Sequence, residues 1–136
     1  MIVVDTNVWS EALRLEPNPT VRDWARLHEP GLFLSAIVLA ELRGGAAMLP
    51  SGQRRLAMEA HFDALEADYA DRILPFDQTT ATRYGKVLET ARRAGKPIAT
   101  ADAMIAATAL RHGMAVATRD RNDFAGAGVA LIDPWG

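Results

Sequence analysis

Four carboxylates, Asp5, Glu41, Asp102 and Asp120, stand where the ends of strands and helices would bring them together. Asp5 directly follows the apolar run Ile2-Val3-Val4, and in open parallel sheets ligands bind beyond the carboxyl ends of the strands. Asp120 leaves the later run Ala115-Val116-Ala117 by way of Thr118-Arg119, on the same edge if the two strands are parallel. Asp102 sits in the first turn of an alanine-rich helical segment, where the helix dipole favours an anion. Glu41 is the least expected, a single charge between Leu39-Ala40 and Leu42 in a segment otherwise suited to burial, where an unpaired carboxylate is costly. Two carboxylates about 4 Å apart repel by about 4 kcal/mol at an effective dielectric near 20, so several ionised acids in one pocket require a cation. Donors that are all oxygen favour magnesium or manganese over zinc. Such a cation activates water and neutralises phosphate oxygens, which is the chemistry of phosphodiester hydrolysis.

The elements that must position these acids follow from the hydrophobic pattern. Short continuous apolar runs at 2–4, 32–34, 73–74, 114–117 and 129–132 fit strands buried on both faces. Helix-length segments separate them: 20–28 behind Pro19, 36–49 capped by Ser35, 51–69, 77–94, and 100–112 stopped by Gly113. The last is rich in small side chains, which let a helix lie close to a sheet. Alternating strands and helices predict an α/β fold, one domain over 1–136 with a mainly parallel central sheet flanked by helices. Gly44-Gly45 inside a helical pattern predicts a kink or the close approach of another backbone.

With 136 residues, 49% apolar and 24% charged, the chain has the make-up of one ordinary globular domain. It has no cysteine, and His28, His61 and His112 have no ligand spacing, which excludes disulfides and zinc sites of nitrogen and sulfur. The net charge of -2 excludes grip on nucleic acid by bulk positive charge, so local arginines and a cation would have to do that work. Arg119 and Arg121, flanking Asp120, are the candidates for contact with RNA phosphate. Arg92 and Arg93 read as a solvated helix end, and Trp9, Trp24 and Trp135 as packing or interface residues. The start lacks a secretory pattern and no membrane span is present, so the expected location is the cytoplasm.

Taken singly, Asp5 reads as a turn residue, Asp102 as a helix-start acid, and Asp120 and Asp123 as parts of a solvated loop. Taken in order, Asp5-Thr6-Asn7 after a first strand, Ala40-Glu41-Leu42, Thr100-Ala101-Asp102-Ala103 and Ala117-Thr118-Arg119-Asp120 resemble the PIN-domain family. More narrowly, the chain resembles the VapC- and FitB-type toxins of toxin-antitoxin pairs, over nearly its whole length. That resemblance implies a PIN-like fold and a magnesium-dependent ribonuclease (manganese being an alternative ion), silenced by a cognate antitoxin. It also implies a homodimer, assembly with the antitoxin into a hetero-oligomer, and contact with DNA only through the antitoxin.

Carried over residue by residue, Asp5, Glu41, Asp102 and Asp120 match the family's acidic site, with Asp5 and Asp102 as metal ligands first of all. Thr6, Asn7 and Thr118 match the polar residues that steady it. Some members place an amide where this chain has Asp120 and rely on a later acid, here Asp123, so either can be the fourth. A rival reading from another class is an acidic groove that docks a basic partner segment without turnover. A phosphatase or phosphoacceptor domain fits poorly, because Asn7 stands where a phosphatase would place a second carboxylate.

Overall fold

The computed structural model describes residues 1–136. Five strands, β1 (Ile2–Val4), β2 (Leu32–Ser35), β3 (Ile73–Leu74), β4 (Ala115–Ala117) and β5 (Leu131–Ile132), form one sheet in the order β3-β2-β1-β4-β5. Every pairing is parallel, so the mainly parallel sheet expected from the apolar runs is wholly so. Val3, Val4, Leu34, Val116 and Ala117 are sealed from solvent. Strands covered on both faces lose the alternation of a half-exposed strand, which is why they were visible as unbroken apolar runs.

The strand order determines where a site can form. From β1 in the centre the chain builds outward to β2 and β3, then crosses back to lay β4 and β5 on the other flank. The connections leaving β1 and β4 therefore diverge, and such a switch point leaves a crevice at the carboxyl ends. Val4 pairs with Ala117, and the Asp5 N–H donates to the Ala117 carbonyl at 2.9 Å. The ladder thus runs one residue past β1 and sets Asp5 beside Thr118.

Seven helices cover the sheet: α1 (Thr6–Glu11), α2 (Pro19–His28), α3 (Ala36–Ala47), α4 (Gln53–Asp68), α5 (Gln78–Arg93), α6 (Thr100–Arg111) and α7 (Arg121–Phe124). The five long ones match the periodic segments to within a few residues. Two short ones differ from expectation. Asp5-Thr6-Asn7, a turn by composition, starts α1, with the Asp5 carboxylate as its cap. The polar stretch from Arg119 to Asn122 does not stay a loop but enters α7 at Arg121. Ser35 caps α3 as expected, its Oγ accepting the Val38 N–H at 3.0 Å.

Ala103, Ile105, Ala106, Ala107 and Ala109 of α6 are fully buried, and α6 lies against β1, β4 and α5. Short side chains there bring the helix start, with Asp102, near the strand ends. Trp9 meets Tyr69 edge-on at 5.1 Å and donates to the Val4 carbonyl, while Trp24 stacks on His28, so both tryptophans pack as expected.

At Gly44 and Gly45 no neighbouring atom would crowd a side chain, so the expected backbone approach does not occur there. It occurs at Gly126, where a Cβ would lie 2.8 Å from the Lys96 carbonyl oxygen and 3.2 Å from the Ala91 Cα. This contact clamps the loop that leads from α5 into α6. Gly126→Ala is expected to destabilise the fold by roughly 1–3 kcal/mol, as overpacking does. Urea unfolding measures it, and wild-type stability would remove the clamp.

Candidate active site

The three residues that follow β1 each hold a different part of the site. Asp5 is buried, with Oδ1 accepting the Thr6 N–H at 2.8 Å and Oδ2 accepting the hydroxyl of fully buried Thr118 at 2.7 Å. The Thr6 hydroxyl donates to Glu41 Oε1 at 2.7 Å, reaching across to α3. Asn7 donates through Nδ2 to Asp120 Oδ2 at 3.0 Å, and its Oδ1 accepts the Arg119 N–H at 3.3 Å. Thr118, its proton given to Asp5, accepts the Asp120 N–H at 3.0 Å. One tripeptide thereby ties β1, α3 and the β4–α7 connection into a single polar network.

Glu41 requires a correction. Its apolar neighbours suggested a costly position on a burying face, but α3 buries Val38, Leu42 and Ala46 and leaves Ala40 and Glu41 facing solvent. A local ion pair does not explain it either. Arg43 turns away to α4, where it meets Asp63 and Glu66, each at 2.7 Å.

Repulsion is visible in the proton affinities. Burial pushes the Asp102 carboxyl up to about 6, and the charges of Asp5, Asp123, Glu41 and Asp120 push in the same direction. Asp5 is also raised, first by burial; the Thr118 and Thr6 bonds work against that rise, and Glu41 and Asp120 add to it. Five acids therefore share one field. Asp123 weighs on Asp102 ahead of Glu41 and Asp120, whereas Asp120 is among the charges felt at Asp5. Both candidates for the fourth acid thus act on Asp102, and Asp120 acts on Asp5 as well.

No three of these side chains converge closely enough to cage a metal ion unaided. The donor set still fits one. Magnesium typically takes only one or two protein carboxylates and keeps several waters, which an open set of oxygen donors allows. The histidines stand outside the network: His28 bonds the Trp24 carbonyl, His61 lies against Phe62, and His112 ends α6. Arg121 is exposed at the start of α7. Arg119 is anchored to Asn7 by its backbone, and its guanidinium lies over Trp135, a pairing that residue types alone did not signal.

A parallel α/β domain with acids gathered at its topological switch point defines the class, and comparison with known proteins gives it a family. Residues 2–129 match the PIN domain. Plasmid stability protein StbB of Pseudomonas syringae pv. tomato is 46% identical, with 99% of each chain covered. VapC ribonuclease Y4jK of Sinorhizobium fredii is 44% identical, covering 99% of this chain and 98% of its own. Toxin FitB of Neisseria gonorrhoeae is also 44% identical, with 99% of each covered. Among solved structures, FitAcB from Neisseria gonorrhoeae superposes with a TM-score of 0.91 at 43% identity, covering 99% of each chain. FitAB bound to an IR36 DNA fragment superposes at 0.92 and 43%, covering 100% of this chain and 96% of the other. The chain belongs to the PIN-domain family. Within that family it is similar to the VapC- and FitB-like members.

The raised Asp102 has a consequence for stability. Its folded pKa, about 6, exceeds the ordinary 3.8, so the protonated carboxyl favours the fold. That contribution is complete below about pH 4 and is lost as pH rises through 6. Asp102→Asn is therefore expected to stabilise the metal-free protein at pH 7 by about 1–2 kcal/mol, allowing for solvent screening, with the gain vanishing below pH 4. Urea unfolding in chelator at the two pH values measures this. Equal stabilities at pH 7 would contradict it.

Proposed function

We propose that this chain is a magnesium-dependent endoribonuclease, the toxin of a bacterial toxin-antitoxin pair, acting in the cytoplasm and hydrolysing RNA phosphodiesters without a covalent intermediate. The observation that carries the reading is the gathering of four carboxylates around Asp102, which burial and their charges lift to about 6. The relatives VapC ribonuclease Y4jK and Toxin FitB, each 44% identical over nearly the full chain, support the same reading.

In this reading Asp5, Glu41, Asp102 and Asp120, with Asp123 as the alternative to Asp120, would hold the cation directly or through water, Asp5 and Asp102 first of all. Magnesium, or manganese in its place, supplies charge neutralisation at the phosphate and a water of lowered pKa. The chain's own residues set the geometry. Thr118 and the Thr6 N–H fix both oxygens of Asp5, and Asn7 aims Asp120. Arg119 and Arg121 provide the cations on the RNA side. The partners are the RNA substrate, a cognate antitoxin and a second copy of the chain, with DNA approached only through the antitoxin. No helix is long and apolar enough to cross a membrane.

The second reading, docking of a basic antitoxin segment without turnover, draws on the openness of the acid set. A guanidinium could neutralise carboxylates that do not close around a metal. Incubation of RNA pools with magnesium and then with chelator separates the two. Asp5→Asn is expected to abolish magnesium-dependent cleavage with an unchanged circular dichroism spectrum, and full activity of that variant would sink the nuclease reading. Thr118→Val removes a positioning bond and is expected to cost roughly 10–100-fold in rate, the usual range for groups that orient metal ligands.

A further inference from the structure

We infer that Arg119 and Trp135 form a stacking subsite for a nucleobase of single-stranded RNA, one step removed from the acidic cluster. The inference deepens the ribonuclease reading and rests on it. The Arg119 guanidinium carbon lies 5.0 Å from the centre of the Trp135 ring, within the range of a cation–π contact. Both ends of this pair are anchored. Arg119 directly precedes Asp120 and is bonded to Asn7 through its N–H. Trp135 sits in a closed turn, its N–H donating to Asp133 Oδ1 at 2.9 Å and the Gly136 N–H to the Asp133 carbonyl at 3.1 Å, beside buried Pro134.

The pair forms one wall of a cleft of about 440 Å³, shared with Glu11, Arg14, Glu16 and Asn18. That volume falls within the usual span of small-ligand sites. Its charges nearly balance, since Arg14 is paired with Glu11 at 3.4 Å and Glu16 and Arg119 line the same cleft. Arg119 itself takes part in none of the chain's ion pairs. A near-neutral cleft offering a planar guanidinium on an indole suits a base better than a run of phosphates. Stacking on aromatic and guanidinium planes is how proteins hold unpaired bases. Glu11 closes α1 and Asp5 caps its start, so this one short helix links the cleft to the acidic cluster, as Arg119 does through its neighbour Asp120. Trp9 and Trp24 are committed to Tyr69 and His28, leaving Trp135 as the tryptophan whose ring meets an unpaired cation.

The test uses the full chain and two probes, a mixed-sequence single-stranded RNA oligonucleotide and the same oligonucleotide with abasic residues. Binding is read by fluorescence anisotropy in chelator, and cleavage in magnesium. Trp135→Ala is expected to weaken RNA binding about tenfold or more without changing its salt dependence, and to raise KM by a similar factor with kcat within about twofold. Trp135→Phe should recover most of the affinity. Arg119→Ala should weaken binding and also flatten the slope of log affinity against log salt by about 0.7, the share of one cation on a single strand. Abasic RNA should bind wild type and the Trp135 variants alike.

Wild-type affinity in Trp135→Ala, or equal losses on intact and abasic RNA, would overturn the subsite. If Trp135→Ala does not fold, as thermal melting will reveal, Arg119→Ala tested on the two oligonucleotides decides the matter. Cleavage that proceeds without dependence on these residues removes the subsite and leaves the nuclease standing. Binding that depends on Trp135 without any cleavage by the wild type does the reverse.

Discussion

Charge repulsion among acids drawn partly out of water is the constraint around which this structure is arranged. Asp102 carries its strain most openly, pushed to about 6 by burial and by four neighbouring carboxylates. A fold that only needed stability would replace such a group with an amide or spread the charges apart. This one instead directs hydrogen bonds into the cluster. Thr6 and Thr118 hold Asp5 by both oxygens, Thr6 also holds Glu41, and Asn7 holds Asp120. Each bond steadies an ionised oxygen without contributing a positive charge.

The sheet makes this concentration feasible. Its strand order places the ends of β1 and β4 side by side with diverging connections, so acids from both strands reach one crevice. The alanine-lined face of α6 then lets a third acid approach from the helix start, where the dipole favours it. Rigidity matters here as much as proximity. Thr118 is fully buried, and every buried side-chain oxygen and nitrogen in the chain has a partner, so Asp5 is held by a support without slack.

Much of this was legible in the residues because fully covered strands leave unbroken apolar runs. The positions of Asp5 and Asp120 follow from where those runs stop, and that of Asp102 from the alanine pattern behind it. Glu41 was legible as a member but not in its exposure. The facing of a helix depends on which stripe wins the core, and α3 has apolar residues on more than one side. The short helices α1 and α7 were hidden because Asp, Thr and Asn favour turns and caps equally, so residue types alone do not decide between them. The meeting of Arg119 with Trp135 joins residues from two different connections, and no local pattern encodes it.

The account stands or falls on the shared field at Asp102. The most direct measurement follows the side-chain carboxyl carbon of Asp102 by nuclear magnetic resonance across a pH titration, in chelator and then in magnesium. The account predicts a midpoint near 6 without the ion and a clear downward displacement when magnesium neutralises the cluster. An ordinary midpoint near 4 that ignores magnesium would contradict it, for the acids would then be neighbours in the chain's plan but not in its electrostatics.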